Sequence, residues 1–197
     1  MNLHELLVLL PALMPVLILV IIGMGFCATN RPRVQALRRL TQILGGSVRR
    51  FPWIVPQWSG SFEGLPVTIT LMPESKHSPR ELVISTKQPC AFRLRIVPET
   101  WSRRLGRQLG LLRDLRVRDP AFDERFLILT DQPPHAQGFL SDDRIRRAVT
   151  SLFDLGMTTL TMDRRGMAAK KSHYPLSDLE PSQLLPVLQH VRQLATR

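Results

Sequence analysis

Two groups of side chains carry types and spacings that could do chemistry. The first is Asp119, Asp123, Glu124 and Arg125. Three carboxylates within six positions could hold a metal ion or split into an acid and a base. The commoner use of such a run is structural. Asp119-Pro120 initiates a turn, Phe122 and Phe126 pack inward, and the charges pair locally. The second group is Arg164, Arg165, Lys170, Lys171, His173 and Tyr174. Spread over one hairpin, it could bind phosphate or nucleic acid with Tyr174 stacking on a base. A solvated hairpin face is the alternative, and it is favoured because residues 119–197 carry as many acids as bases. A single Tyr and no aromatic–basic interleaving argue against nucleic acid as the main partner.

No established catalytic template is present. Gly45-Gly46 is not followed by Gly-Lys-Ser, no GxGxxG opens a helix, and GxSxG and HExxH are absent. The five histidines (4, 77, 135, 173, 190) are scattered. Cys27 and Cys90 form no CxxC or Cys/His cluster, and two unrelated thiols are the expected state. Catalytic residues, a cofactor and a metal site are therefore not expected.

Charge says more. The chain has 197 residues and a net charge of +11. The excess sits in two stretches. Residues 31–50 hold Arg31, Arg33, Arg38, Arg39, Arg49 and Arg50 and no acid. Residues 93–118 hold eight arginines, Arg103, Arg104 and Arg107 among them, against Glu99 and Asp114. The first group is the candidate surface for anionic lipid headgroups, and the second a candidate contact for a partner or polyanion.

These residues must be positioned by something. Leu6–Phe26 is an unbroken apolar run without charge or hydroxyl, about 31 Å long as a helix and so matched to a bilayer core. It predicts one transmembrane anchor. The positive charges follow it, which places the N-terminus outside and the rest in the cytoplasm of a bacterial inner membrane. A secretory signal or lipoprotein site is disfavoured by a start without Lys or Arg, by the length of the apolar run and by Phe26 before Cys27. Pro11 and Pro15, one turn apart, are expected to kink this helix and pack it against other spans.

Behind it, Val34, Leu37, Leu40, Ile43 and Leu44 make one stripe of a helix that Gly45-Gly46 stops. Two readings stay open: a helix lying on headgroups, or one packed on the domain with its arginines solvated. Strands are predicted at Trp58–Glu63 and Pro66–Met72, at Glu81–Thr86 and Ala91–Val97 as a second pair, at Phe126–Thr130, and at Met157–Met162 and Met167–Tyr174 as a hairpin. Trp101–Leu112 reads as a basic helix covering the sheet. Ser141 is expected to cap a helix over Asp142–Leu155, and a last helix spans about 181–196. Segments 73–79 and 131–138 read as flexible. The expected fold is α+β: a transmembrane helix, then a mostly antiparallel sheet packed with two to three helices. The divisions are 1–30 (anchor), 31–50 (basic juxtamembrane helix) and 51–197 (cytoplasmic domain).

The piece Trp58-Ser-Gly-Ser-Phe-Glu-Gly-Leu-Pro-Val-Thr-Ile, followed by Asp119-Pro-Ala-Phe-Asp-Glu-Arg-Phe-Leu-Ile, a capped helix and a hairpin, resembles bacterial single-pass membrane-anchored proteins that carry a small α+β domain of unknown function. The resemblance spans roughly residues 45–195. It implies an anchor and a domain, and no catalytic residues. The expected role is a non-catalytic accessory or scaffolding subunit of a larger membrane complex. The alternative is a peripheral module binding anionic lipid headgroups or another polyanion. The expected partners are the bilayer and other membrane proteins, with anionic lipids through the basic stretches.

Overall fold

The computed structural model describes residues 14–15, 31–50, 55–99 and 113–196. Its centre is a nine-stranded antiparallel sheet with strand order β1-β2-β3-β4-β9-β8-β5-β7-β6. The first four strands are a meander: β1 Ser47–Arg50, β2 Pro56–Phe62, β3 Leu65–Met72 and β4 Glu81–Thr86. The rest are β5 Leu94–Pro98, β6 Arg113–Asp114, β7 Phe126–Thr130, β8 Thr159–Asp163 and β9 Gly166–Ser172.

Side-chain alternation explains why these segments are strands. In β3, Leu65, Val67, Ile69 and Leu71 are buried while the residues between them are not, and in β4 Leu82, Ile84 and Thr86 do the same. A strand with one buried face must read this way, because successive side chains point to opposite sides. β7 is buried at all five positions. Its Ile128 joins the main core, whereas Leu127 and Leu129 form a second small cluster with Val97.

Helices close the main core. α1 covers residues 31–44, α2 is Pro120–Arg125, α3 Pro133–Leu140, α4 Asp143–Asp154 and α5 Pro181–Ala195. A 3₁₀ turn over Leu176–Leu179 precedes α5. Leu37, Leu40, Ile145, Val149, Leu152, Leu184, Leu188 and Val191 share one cluster with Trp58, Ile69, Ile84, Ile96 and Leu160.

Several expectations change. Glu81–Thr86 and Ala91–Val97 do not form a hairpin. β4 pairs with β9, as in Thr86↔Met167, and β5 pairs with β7 and β8. The turn expected at 119–126 is helix α2, and the flexible segment 131–138 lies largely in α3. Asp142 caps α4 by accepting the Arg144 N–H, while Ser141 ends α3. A six-residue helix is too short to show a period, and Pro133-Pro134 reads as a breaker although proline is welcome in a helix's first turn.

The expected transmembrane helix is also corrected. Among the described residues no helix is long and apolar enough to cross a membrane. A span needs about 20 apolar residues, whereas α5, with 15, is the longest helix whose ends are described, and it has a polar face and contains Pro186. Apart from Met14 and Pro15, Leu6–Phe26 lies outside the described residues. The α+β class stands on the sheet and its helices. The single-pass inner-membrane placement, with the N-terminus outside and the domain in the cytoplasm, is withdrawn.

Candidate functional site

The two readings of the basic helix are separated by what its apolar stripe touches. Val34 is 4% exposed and Leu37 and Leu40 are 0% exposed, and the two leucines are packed into the core cluster. A helix lying on headgroups would turn those three side chains to lipid. Here they are already covered, so the arginines on the opposite side stand on a fixed base. Arg31, Arg38, Arg39 and Arg49 are exposed, and Arg33 is half-buried.

The end of α1 is pinned just as firmly. Gly45 and Gly46 have φ of +70° and +85°, the left-handed region in which glycine ends helices. At Gly46 a Cβ would come 2.5 Å from the Ser59 carbonyl oxygen, so the chain crosses β2 at a distance only glycine permits. The Trp58 indole N–H donates to the Gly45 carbonyl at 3.1 Å. Arg49 and Arg50 then belong to β1, which among the described residues pairs only with β2 and so stands at one end of the strand order.

One face of α1 looks onto the 3₁₀ turn. Pro32, Gln35, Ala36 and Arg39, at helical spacing, line a groove of about 260 Å³ with Leu176, Ser177, Leu179 and Glu180. Ile43, one turn beyond Arg39, is 57% exposed, and Leu176 is 45% exposed. The stripe was legible only in part. Leu176 lies far along the chain and carries no periodicity of its own.

Tyr174 sits behind this region and is 1% exposed. The Arg80 guanidinium lies 5.8 Å from its ring centre. Burial pushes the phenol up from its ordinary value of 10.0, against the pull of Arg33 and Arg80, which favour the anion. It is unavailable for stacking on a base. The rest of the hairpin group is divided as well. Lys170 faces Glu81 at 3.6 Å, and Lys171 is held by Asp178 at 2.9 Å and by the Leu155 carbonyl at 3.0 Å. Arg164 and Arg165 alone project from the turn as exposed cations.

Two carboxylates of the first group, Asp119 and Asp123, hold backbone amides. Asp119 caps α2 by accepting the Phe122 N–H at 3.2 Å and takes Arg146 Nε at 3.0 Å. Asp123 accepts the N–H groups of Val117 and Arg118 at 2.8 and 3.1 Å. Arg125 pairs with Asp154, and Arg146 also with Asp143. Asp119 and Asp123 are thus engaged in ordering the 116–126 segment. Among the described residues no three His, Cys, Asp or Glu side chains converge as metal ligands do.

Arg103, Arg104, Arg107 and Pro11 lie outside the described residues. Pro15 is helical and exposed.

No known family matches the chain, and no curated protein does. Among solved structures, the crystal structure of the mycobacterial trehalose monomycolate transport factor A, TtfA, is similar over 81% of this chain and 80% of that one, at 11% identity and a TM-score of 0.47.

Proposed function

We propose that this chain is a non-catalytic docking module, an accessory subunit that joins a larger assembly through the groove between α1 and the 176–179 turn. The observation that carries this reading is the seating of α1. Leu37 and Leu40 of its apolar stripe are spent on the core, so Arg39 is presented beside Leu176 without any need for the helix to move. Preorganised surfaces lose little conformational freedom on binding. The partner surface is expected to offer an apolar side chain for the groove and acidic groups for Arg38 and Arg39. The non-catalytic part of the reading is supported by Asp119 and Asp123, which are taken up by backbone amides and a guanidinium.

The test is purification of the tagged protein from its own cells, beside an Arg39→Glu/Leu176→Asp variant. A partner retained by the native chain, lost by the variant, and bound at least about tenfold more weakly by the purified variant, as for one removed hot-spot contact, is the expected result. The same partners with both proteins would overturn the groove. Binding to anionic vesicles that disappears when Arg31, Arg38 and Arg39 are changed to Gln would favour lipid headgroups instead.

A further inference from the structure

The connection from β4 to β5 runs between two adjoining cavities that the docking groove does not involve. One, of about 330 Å³, is lined by Cys90, Phe92, Phe139, Met162, Met167 and Leu194, with their neighbours in 88–91 and Ala195 completing it. The other, of about 370 Å³, is lined by Arg93, Arg164 and Arg165 together with Asp131 and Asp163. Ala91 and Phe92 line both. Each volume is in the range of small-ligand sites.

The first cavity is apolar. Phe92, Met162, Met167 and Leu194 are all buried, and the two methionines give it a wall that can adjust to a flexible chain. The second is cationic at its mouth. Its two carboxylates are turned to the backbone: Asp131 accepts the Arg93 N–H at 2.8 Å and Asp163 the Arg165 N–H at 2.7 Å. Among the described residues none of the three guanidiniums is in an ion pair. Three arginines against two aspartates leave one positive charge.

We infer that the two cavities form one site for a long-chain carboxylate, with the hydrocarbon chain between Met162, Met167 and Phe139 and the carboxylate at Arg164 and Arg165. The single excess charge matches a monoanion better than a phosphate dianion, and guanidinium groups receive carboxylates bidentately.

Cys90 reports on the chain cavity directly. In the full-length protein carrying Cys27→Ser it is the remaining thiol, and its alkylation by N-ethylmaleimide can be followed by intact mass. Laurate below its micellar concentration should slow that alkylation at least tenfold. Octanoate, four methylenes shorter, should need a concentration about two orders of magnitude higher, at about fourfold per methylene. Dodecyltrimethylammonium and inorganic phosphate should leave the rate unchanged. Arg164→Gln/Arg165→Gln, which alters exposed side chains only, should weaken protection by laurate at least tenfold with no change in the unfolding midpoint. Absence of protection by laurate overturns the site. So does equal protection by the cationic amphiphile, protection by phosphate alone, or a double variant that binds laurate as the native chain does. Arg39→Glu should keep the laurate effect, which separates this site from the docking groove.

Discussion

Replacing Leu37 by Ala tests the placement of α1 on which the docking surface depends. The side chain is 0% exposed and belongs to the same cluster as Trp58 and Ile69. Truncating such a leucine removes transfer free energy and leaves a cavity, and costs about 2–5 kcal/mol. For a domain of this size each kcal/mol lowers the melting temperature by about 2–4 °C. A loss of about 3 kcal/mol therefore becomes a drop of about 6–12 °C, and Leu40→Ala should behave alike. Ile43→Ala is the internal control. It sits on the same helix but is 57% exposed, so the expected cost is below about 0.5 kcal/mol, or under about 2 °C. Circular dichroism melts of the full chain, without lipid, read all three. A helix that reserved this stripe for a membrane surface would show small and equal shifts at positions 37, 40 and 43. That outcome would refute both the packing and the docking surface drawn from it.

Two other outcomes follow from local geometry. Gly166 has φ +138° and leaves only 2.0 Å between a new Cβ and the Thr86 carbonyl oxygen, so Gly166→Ala must push β9 off β4. Urea titration should show a loss of at least about 3 kcal/mol, whereas Gly45→Ala, with open space around it, should cost only the left-handed strain of about 1–2 kcal/mol. Tyr174 titrates later in the folded chain than in the unfolded one, because burial raises its pKa from 10.0. Above pH 10 the unfolded state therefore binds fewer protons than the folded state, and stability falls. The contribution is complete below pH 10 and is lost as pH rises through the folded pKa. Tyr174→Phe should flatten that alkaline decline. At neutral pH it should be close to neutral, since the buried hydroxyl has no hydrogen-bond partner among the described residues. Tyr174 is the sole tyrosine, so tyrosinate absorbance follows it without interference.

The strands were the readable part of the chain. Glu81–Thr86 and Phe126–Thr130 come out with the same ends in sequence and structure, the first because a buried face imposes a period of two, the second because a short apolar run buried on both faces ends at Asp131. What alternation cannot report is which strand lies beside which. Lys87-Gln88-Pro89 looks like a hairpin loop, yet β9 and β8 stand between the strands it joins. The pairing is decided by Met167 and Ala169 finding Thr86 and Ile84, partners remote in sequence. The stripe of α1 was equally visible, but Val34, Leu37 and Leu40 have the same spacing whether they face lipid or core. Only the tertiary structure assigns them. The docking groove needed Leu176 opposite Arg39, and the second site needed Phe139 and Leu194 beside Met162. Neither juxtaposition leaves a trace in local pattern.

The position of β9 between β4 and β8 has a consequence for how the chain is made. The meander β1 to β4 can form as soon as it leaves the ribosome, since its partners are neighbours in sequence. Its outer strand, β4, then waits with an open row of backbone donors and acceptors until Gly166–Ser172 is synthesised. At about 5–20 residues per second that interval is on the order of ten seconds. During it, Leu82 and Ile84 flank an edge able to template pairing with another nascent chain. Arrival of the last hairpin and α5 seals it. The vulnerable period of this protein thus lies in its birth, and a chain shortened before β9 would keep that edge for its whole lifetime.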